Sequence, residues 1–185
     1  MLFKRSAIAL TLAGLFCTAC SSTATSSLDN NEMHTEQTIV GTSTPFASEA
    51  VYFVVTDRFV DGDPSNNHEG QGGDRPTWQL PLEGPDGKKA YVGYMGGDLQ
   101  GILNNADYIK DMGFTAVWMT PVHDNPDYAF NGDEPITYGG AFKDGGKTGY
   151  HGYWATNFYK ADEHLISDDL SVSDYTAKMR QHGLK

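Results

Sequence analysis

Two apolar runs separated by one amphipathic stretch restrict this 185-residue chain more than anything else in it. Val51-Tyr-Phe-Val-Val-Thr56 and Thr115-Ala-Val-Trp-Met119 are short runs of β-forming residues, and both read as buried strands. Between them Leu99, Ile102, Leu103, Ala106, Ile109 and Met112 recur at helical spacing, which predicts one helix with a single apolar face. Asp98 stands where an N-cap belongs, and Gly113 where the helix should end. Strand, helix and strand at this spacing make a βαβ unit, so the chain is α/β with a parallel pair. Strands this uniformly apolar are expected to be covered on both faces.

The rest of the pattern hangs on that unit. Residues 68–93 form a polar excursion with Gly-Gly, Pro-Asp-Gly and Lys-Lys, read as loop or a short hairpin. Residues 121–160 form a long loop rich in Gly, Asp, Tyr and Phe, a length that in compact domains usually carries function. A second helix follows. Ser171 and Asp174 give a capping-box variant, Tyr175 and Met179 share a face, and Gly183 sits at the C-cap.

Two polar stretches flank the first strand and the first helix. Asp61 to Asn67 reads DGDPSNN, and Met95 to Gly101 reads MGGDLQG. Asp61, Asp63, Asn66, Asn67 and Asp98 supply side-chain oxygens, with glycine carbonyls such as that of Gly96 alongside. Hard oxygen donors from two loops suit Ca²⁺, which takes about 6–8 of them. They do not suit zinc, since no Cys is near and His68 has no partner. The EF-hand pattern fails, with Asn66 at its sixth position and Gly72 at its twelfth. The same residues are also ordinary turn chemistry, and both readings stand on composition. Asp98 can cap the helix and face an ion at once.

These segments carry a resemblance to a known family. TDRFVDGDPSNN resembles the first strand and calcium loop of the α-amylase family, glycoside hydrolase family 13, especially bacterial α-amylases and cyclodextrin glucanotransferases. MGGDLQGI resembles the element that returns to the same ion, GFTAVWMTPV the second-strand motif, and GYHGYWATNFY the segment lining the sugar cleft. The match runs from about Val51 to Lys185.

The resemblance implies the N-terminal part of a (β/α)₈ barrel, about two βα units with long loops, and an incomplete barrel in this chain. It implies a Ca²⁺ site at Asp61, Asp63, Asn66, Asn67, Gly96 and Asp98, and a sugar-binding set of Tyr150, His151, Tyr153 and Trp154. His123, Trp78, Tyr138 and Phe142 are further aromatic or imidazole groups without a motif. Family members cleave starch and other α-1,4-glucans with retention, through paired carboxylates about 5–5.5 Å apart. Those carboxylates come from later strands; no Asp or Glu here matches their motifs, so no catalytic residue is assigned. Alternatives are cyclodextrin-forming transglycosylation and a non-catalytic glucan-binding lipoprotein. Many relatives hold a disulfide between the two calcium segments, whereas this chain has no Cys there. The expectation is a truncated product, inactive alone and poorly soluble.

Residues 1–20 are set apart from the fold. Lys4 and Arg5 precede the apolar Ala7–Phe16, too short a stretch to span a bilayer. Cys17-Thr-Ala-Cys20 resembles a bacterial lipoprotein box, which implies lipidation of Cys20; an ordinary signal peptide cut near Ala19 is the alternative. Residues 21–44, rich in Ser, Thr and Asn, read as a tether to the domain at 45–185. The expected place is the periplasm or outer membrane, with the cell surface or medium open. Both cysteines fall in the leader, so the domain has no disulfide and no thiolate ligand. A net charge of −11, without a basic patch, argues against nucleic acid as partner.

Overall fold

The computed structural model describes residues 44–140 and 144–185. The leader with Cys20, nearly all of the tether, and Phe142 lie outside the described residues.

The βαβ unit is present and parallel. Strand β1 (Val51–Val54) pairs with β4 (Ala116–Met119) in the register Val51↔Ala116 to Val54↔Met119. On the far edge of β4, Val117 N–H donates to Lys185 O at 2.8 Å and Lys185 N–H donates to Thr115 O at 3.0 Å. Lys185 therefore lies where a third parallel strand would run.

Side chains alternate across a strand, so Tyr52, Val54, Val117 and Met119 share one face. That face packs on Leu99, Ile102, Ala106, Ile109, Leu170, Tyr175, Met179 and Leu184. Leu99, Ile102 and Ile109 are fully buried, and each stabilises the fold by about 1.5–3 kcal/mol. The opposite face is open: Phe53 and Trp118 are 53% and 61% exposed, their rings meeting edge to face at 5.4 Å. The expectation of cover on both faces thus fails among the described residues. In a (β/α)₈ barrel that face is the interior, filled by side chains from alternate strands, and two strands cannot fill it.

The predicted first helix is two. Helix α1 (Leu99–Asn104) and helix α2 (Ala106–Asp111) meet at Asn105, whose φ of −109° and ψ of 15° leave the helical region. Asn105 Nδ2 donates to Gly101 O at 2.8 Å, taking a carbonyl that the backbone ladder would use. Ile102, Ala106 and Ile109 remain fully buried across the break, so the apolar face survives. Asp98 caps α1 as expected, its Oδ1 accepting from Gly101 N–H at 2.6 Å. Helix α3 (Val172–Gln181) carries the predicted capping box, with Ser171 and Asp174 each accepting from the other's N–H.

The polar excursion contains the expected hairpin, β2 (Pro81–Glu83) against β3 (Lys89–Tyr91) around Pro85–Gly87. The long loop holds an unexpected pair, β5 (His123–Asp124) against β6 (Asn157–Ala161). Two residues are too few to show a period. This pair closes the base of the loop and returns Tyr150–Trp154 toward the C-terminal end of β1. No helix among the described residues is long and apolar enough to cross a membrane.

Candidate functional site

The loops that follow β1 and β4 fold onto each other at one end of the strand pair, the end at which a (β/α)₈ barrel builds its active site. The six oxygen-bearing positions fall together there. Asp98 is fully buried and accepts four bonds: from Gly101 and Gly62 N–H on Oδ1, and from Asp63 N–H and Asn66 Nδ2 on Oδ2. Asn67 Nδ2 donates to Asp61 Oδ2 at 2.9 Å. A Cβ placed on Gly96 would lie 2.6 Å from Asn67 Oδ1 and 3.0 Å from Asp61 Oδ2, so the Gly96 turn presses directly on both side chains.

Two atoms decide whether the site fits a cation. The Oδ1 atoms of Asn66 and Asn67 are buried with no hydrogen-bond partner. A buried amide oxygen without a partner costs about 1–3 kcal/mol, which a bound cation would relieve. No group of three His, Cys, Asp or Glu side chains fit to hold a metal occurs among the described residues. The donors here are amide and carboxylate oxygens, so the set fits a hard cation such as Ca²⁺. Asp63 is turned partly away: its Oδ1 accepts from Ser65 N–H at 3.0 Å and Ser65 Oγ–H at 2.5 Å. The nearby Ser167 hydroxyl, and then the hydrogen bonds from Ser65, hold the Asp63 carboxyl below its usual range.

The aromatic set is equally compact. His151 lies among three rings: Tyr150 at 5.4 Å, Tyr153 at 5.8 Å and Trp154 at 5.0 Å. Tyr153 and Trp154 are exposed by 60% and 39%, while Tyr150 and His151 are half-buried. Tyr153 N–H donates to His151 Nδ1 at 3.0 Å, which leaves the proton of the neutral imidazole on Nε2. Burial, and then the Arg58 charge, lower the His151 pKa and favour that neutral form. The arrangement offers aromatic faces for sugar C–H groups and one N–H donor for a hydroxyl.

Sequence reasoning missed the residues that hold this set. Asn125, 3% exposed, accepts from Trp154 N–H at 2.9 Å and donates to His123 O at 2.6 Å. Its own N–H donates to Asp162 Oδ2 at 2.9 Å, and Asp162 Oδ1 pairs with His164 Nδ1 at 2.9 Å. Arg58 stacks on the Tyr150 ring, its Cζ 3.7 Å from the centroid. An Asn before Pro reads as a turn, and an Arg after a strand as a solvated charge; neither advertises a partner far along the chain. Of the groups without a motif, His123 packs on Phe158 at 5.1 Å, and Trp78 and Tyr138 lie where a Cβ would stand on Gly96 and Gly84. None of these three joins the cluster around His151.

Comparison with known proteins identifies the family. Residues 53–185 match the family described as Alpha amylase, catalytic domain. The chain is 39% identical over 120 residues to a cyclomaltodextrin glucanotransferase of Klebsiella oxytoca, covering 65% of this chain and 15% of that protein. It is 39% identical over 127 residues to an alpha-amylase of Saccharomycopsis fibuligera, covering 66% and 19%. A crystal structure of gamma-CGTase from alkalophilic Bacillus clarkii superimposes with a TM-score of 0.53 at 32% identity, covering 74% of this chain and 17% of that one. The chain thus spans less than a fifth of the length of these relatives. The family match covers residues 53–185, which include the two polar loops and the aromatic turn: this chain belongs to the α-amylase family and forms part of its (β/α)₈ catalytic domain.

Proposed function

We propose that these residues form the glucan-holding, cation-braced part of an α-amylase-type glycosidase acting on α-1,4-linked glucose chains. One observation carries the reading: His151, its Nδ1 accepting the Tyr153 N–H, is ringed by Tyr150, Tyr153 and Trp154. In this role the rings stack on pyranose faces and His151 Nε2–H donates to a hydroxyl oxygen. Tyr128 and Phe130 extend the platform, lining with Pro126 and Trp154 a cleft of about 210 Å³. The cation would be held by Asp61, Asp63, Asn66, Asn67, Gly96 and Asp98, and would supply electrostatic cross-linking of the two loops. No residue described here is assigned as nucleophile or acid; bond cleavage belongs to paired carboxylates not identified in this chain.

Hydrolysis of starch-like glucans is the first reading, and transglycosylation to cyclic products the second, favoured by the glucanotransferase relatives. Incubation of soluble starch with the protein that joins these residues to the paired carboxylates, with product chromatography and a reducing-end assay, separates them. Linear maltooligosaccharides support hydrolysis, cyclic products support transglycosylation, and maltoheptaose binding without turnover supports a holding role alone. Absence of both turnover and binding contradicts the proposal. We further propose export through residues 1–20 with lipid attachment at Cys20, placing the domain in the periplasm or at the outer membrane. Labelling with radioactive palmitate, lost in Cys20→Ala, tests it.

A further inference from the structure

Arg58 stands where the cation loop and the aromatic turn touch, and three contacts fix its plane. Its Nη2 donates to Gly93 O at 2.8 Å, its Nε lies 2.9 Å from Asp57 Oδ2 in an ion pair that lacks hydrogen-bond alignment, and its Cζ lies 3.7 Å from the Tyr150 centroid. Asp57 is 2% exposed, and its Oδ1 also accepts from Met95 N–H at 2.9 Å. The guanidinium therefore cannot follow solvent; it is clamped flat beneath one face of the tyrosine by a buried carboxylate and a carbonyl.

We infer that Arg58 is a positioning residue for the sugar platform, locking the Tyr150 ring in the orientation that receives a pyranose. The inference rests on the glucan reading above. Arg58 does not meet the sugar itself; it acts through Tyr150. A cation on an aromatic face attracts the ring quadrupole, and a ring held in advance loses less freedom when a ligand arrives. Lysine cannot replace it, because an ammonium is a point charge that cannot stack flat on the ring while donating to Gly93 and staying beside Asp57. Because Asp57 also holds Met95 N–H, the ring is referenced to the turn that carries Gly96.

A double-mutant cycle on the full chain tests this, with maltoheptaose as probe and calorimetric Kd as readout in excess calcium. Arg58→Leu and Arg58→Lys should each weaken binding by about 5- to 30-fold, the span of a desolvated cation–π contact. Arg58→Leu in a Tyr150→Leu background should change Kd by less than about twofold, since the ring it positions is gone. Arg58→Leu leaves a buried carboxylate unpaired, so Asp57→Asn with Arg58→Leu serves as the variant that keeps folding intact. Equal affinity for the wild type and all Arg58 variants overturns the inference while leaving the glucan reading intact. An additive loss in the Tyr150→Leu background also overturns it. No binding by the wild type removes both.

Discussion

Asn125 Oδ1 accepts the backbone N–H of Trp154 at 2.9 Å, tying the loop after β4 to the aromatic turn across 29 residues of sequence. The same side chain donates to His123 O at 2.6 Å and lies within 3.4 Å of Asp162 Oδ2. Asn125→Ala should cost about 1–3 kcal/mol by stranding these partners. Asn125→Asp should cost more at pH 7, because it places a second carboxylate against Asp162. Urea denaturation of the two variants checks the order; equal losses would show that the added carboxylate is not felt by Asp162.

Gly96 has φ of +89°, and a Cβ there would meet Asn67 Oδ1 at 2.6 Å and Trp78 Cη2 at 2.9 Å. Gly96→Ala should destabilise by about 1–3 kcal/mol from backbone strain alone. It should also blunt any stabilisation by calcium, since the displaced oxygen belongs to the proposed donor set. Thermal melts with calcium and with chelator read both effects.

Calcium should raise the stability of the wild type by mass action, about 2.7 kcal/mol at a hundredfold excess over Kd. The Asp61→Ala and Asp98→Ala double variant should melt at the same temperature in calcium and in chelator. A wild type indifferent to chelator contradicts the cation reading of Asn66 and Asn67.

The pH dependence has two components of opposite sign. Burial raises the Asp57 carboxyl to about 6, against the opposing N–H of Met95 and charge of Arg58. The folded chain thus holds that proton more tightly than the unfolded one. The contribution is present below about 4 and is lost as pH rises through about 6. His151 is depressed, chiefly by burial, so its contribution is present above the ordinary histidine range and is lost as pH falls below it. Asp57→Asn should remove the first component and leave the second. Denaturation from pH 4 to 8 with both proteins resolves them; superimposable profiles would refute the Asp57 assignment.

What could be read from the sequence was whatever repeats at a period or follows local turn chemistry. Val51–Val54 and Ala116–Met119 were visible as strands, and Ser171 with Asp174 as a cap, because neighbours in sequence decide them. The break at Asn105 was hidden, since Ile102, Ala106 and Ile109 keep their period across it. The open face bearing Phe53 and Trp118 was misjudged because apolar side chains do not say which neighbours cover them. In the site, the residues that would meet a ligand were legible by resemblance. Arg58, Asn125 and Asp162 were not, because the contacts that tie them to the site, Arg58 with Tyr150, Asn125 with Trp154 and Asp162 with Asn125, join residues 29 to 92 positions apart in sequence.

The most direct test is a calorimetric titration of the full chain with maltoheptaose, repeated with cellohexaose and with the Tyr150→Ala and Trp154→Ala variants. The account predicts saturable binding of the α-linked chain, no binding of the β-linked one, and a loss of about tenfold or more in each variant. Absence of heat with maltoheptaose, or equal binding of both oligosaccharides, would contradict it.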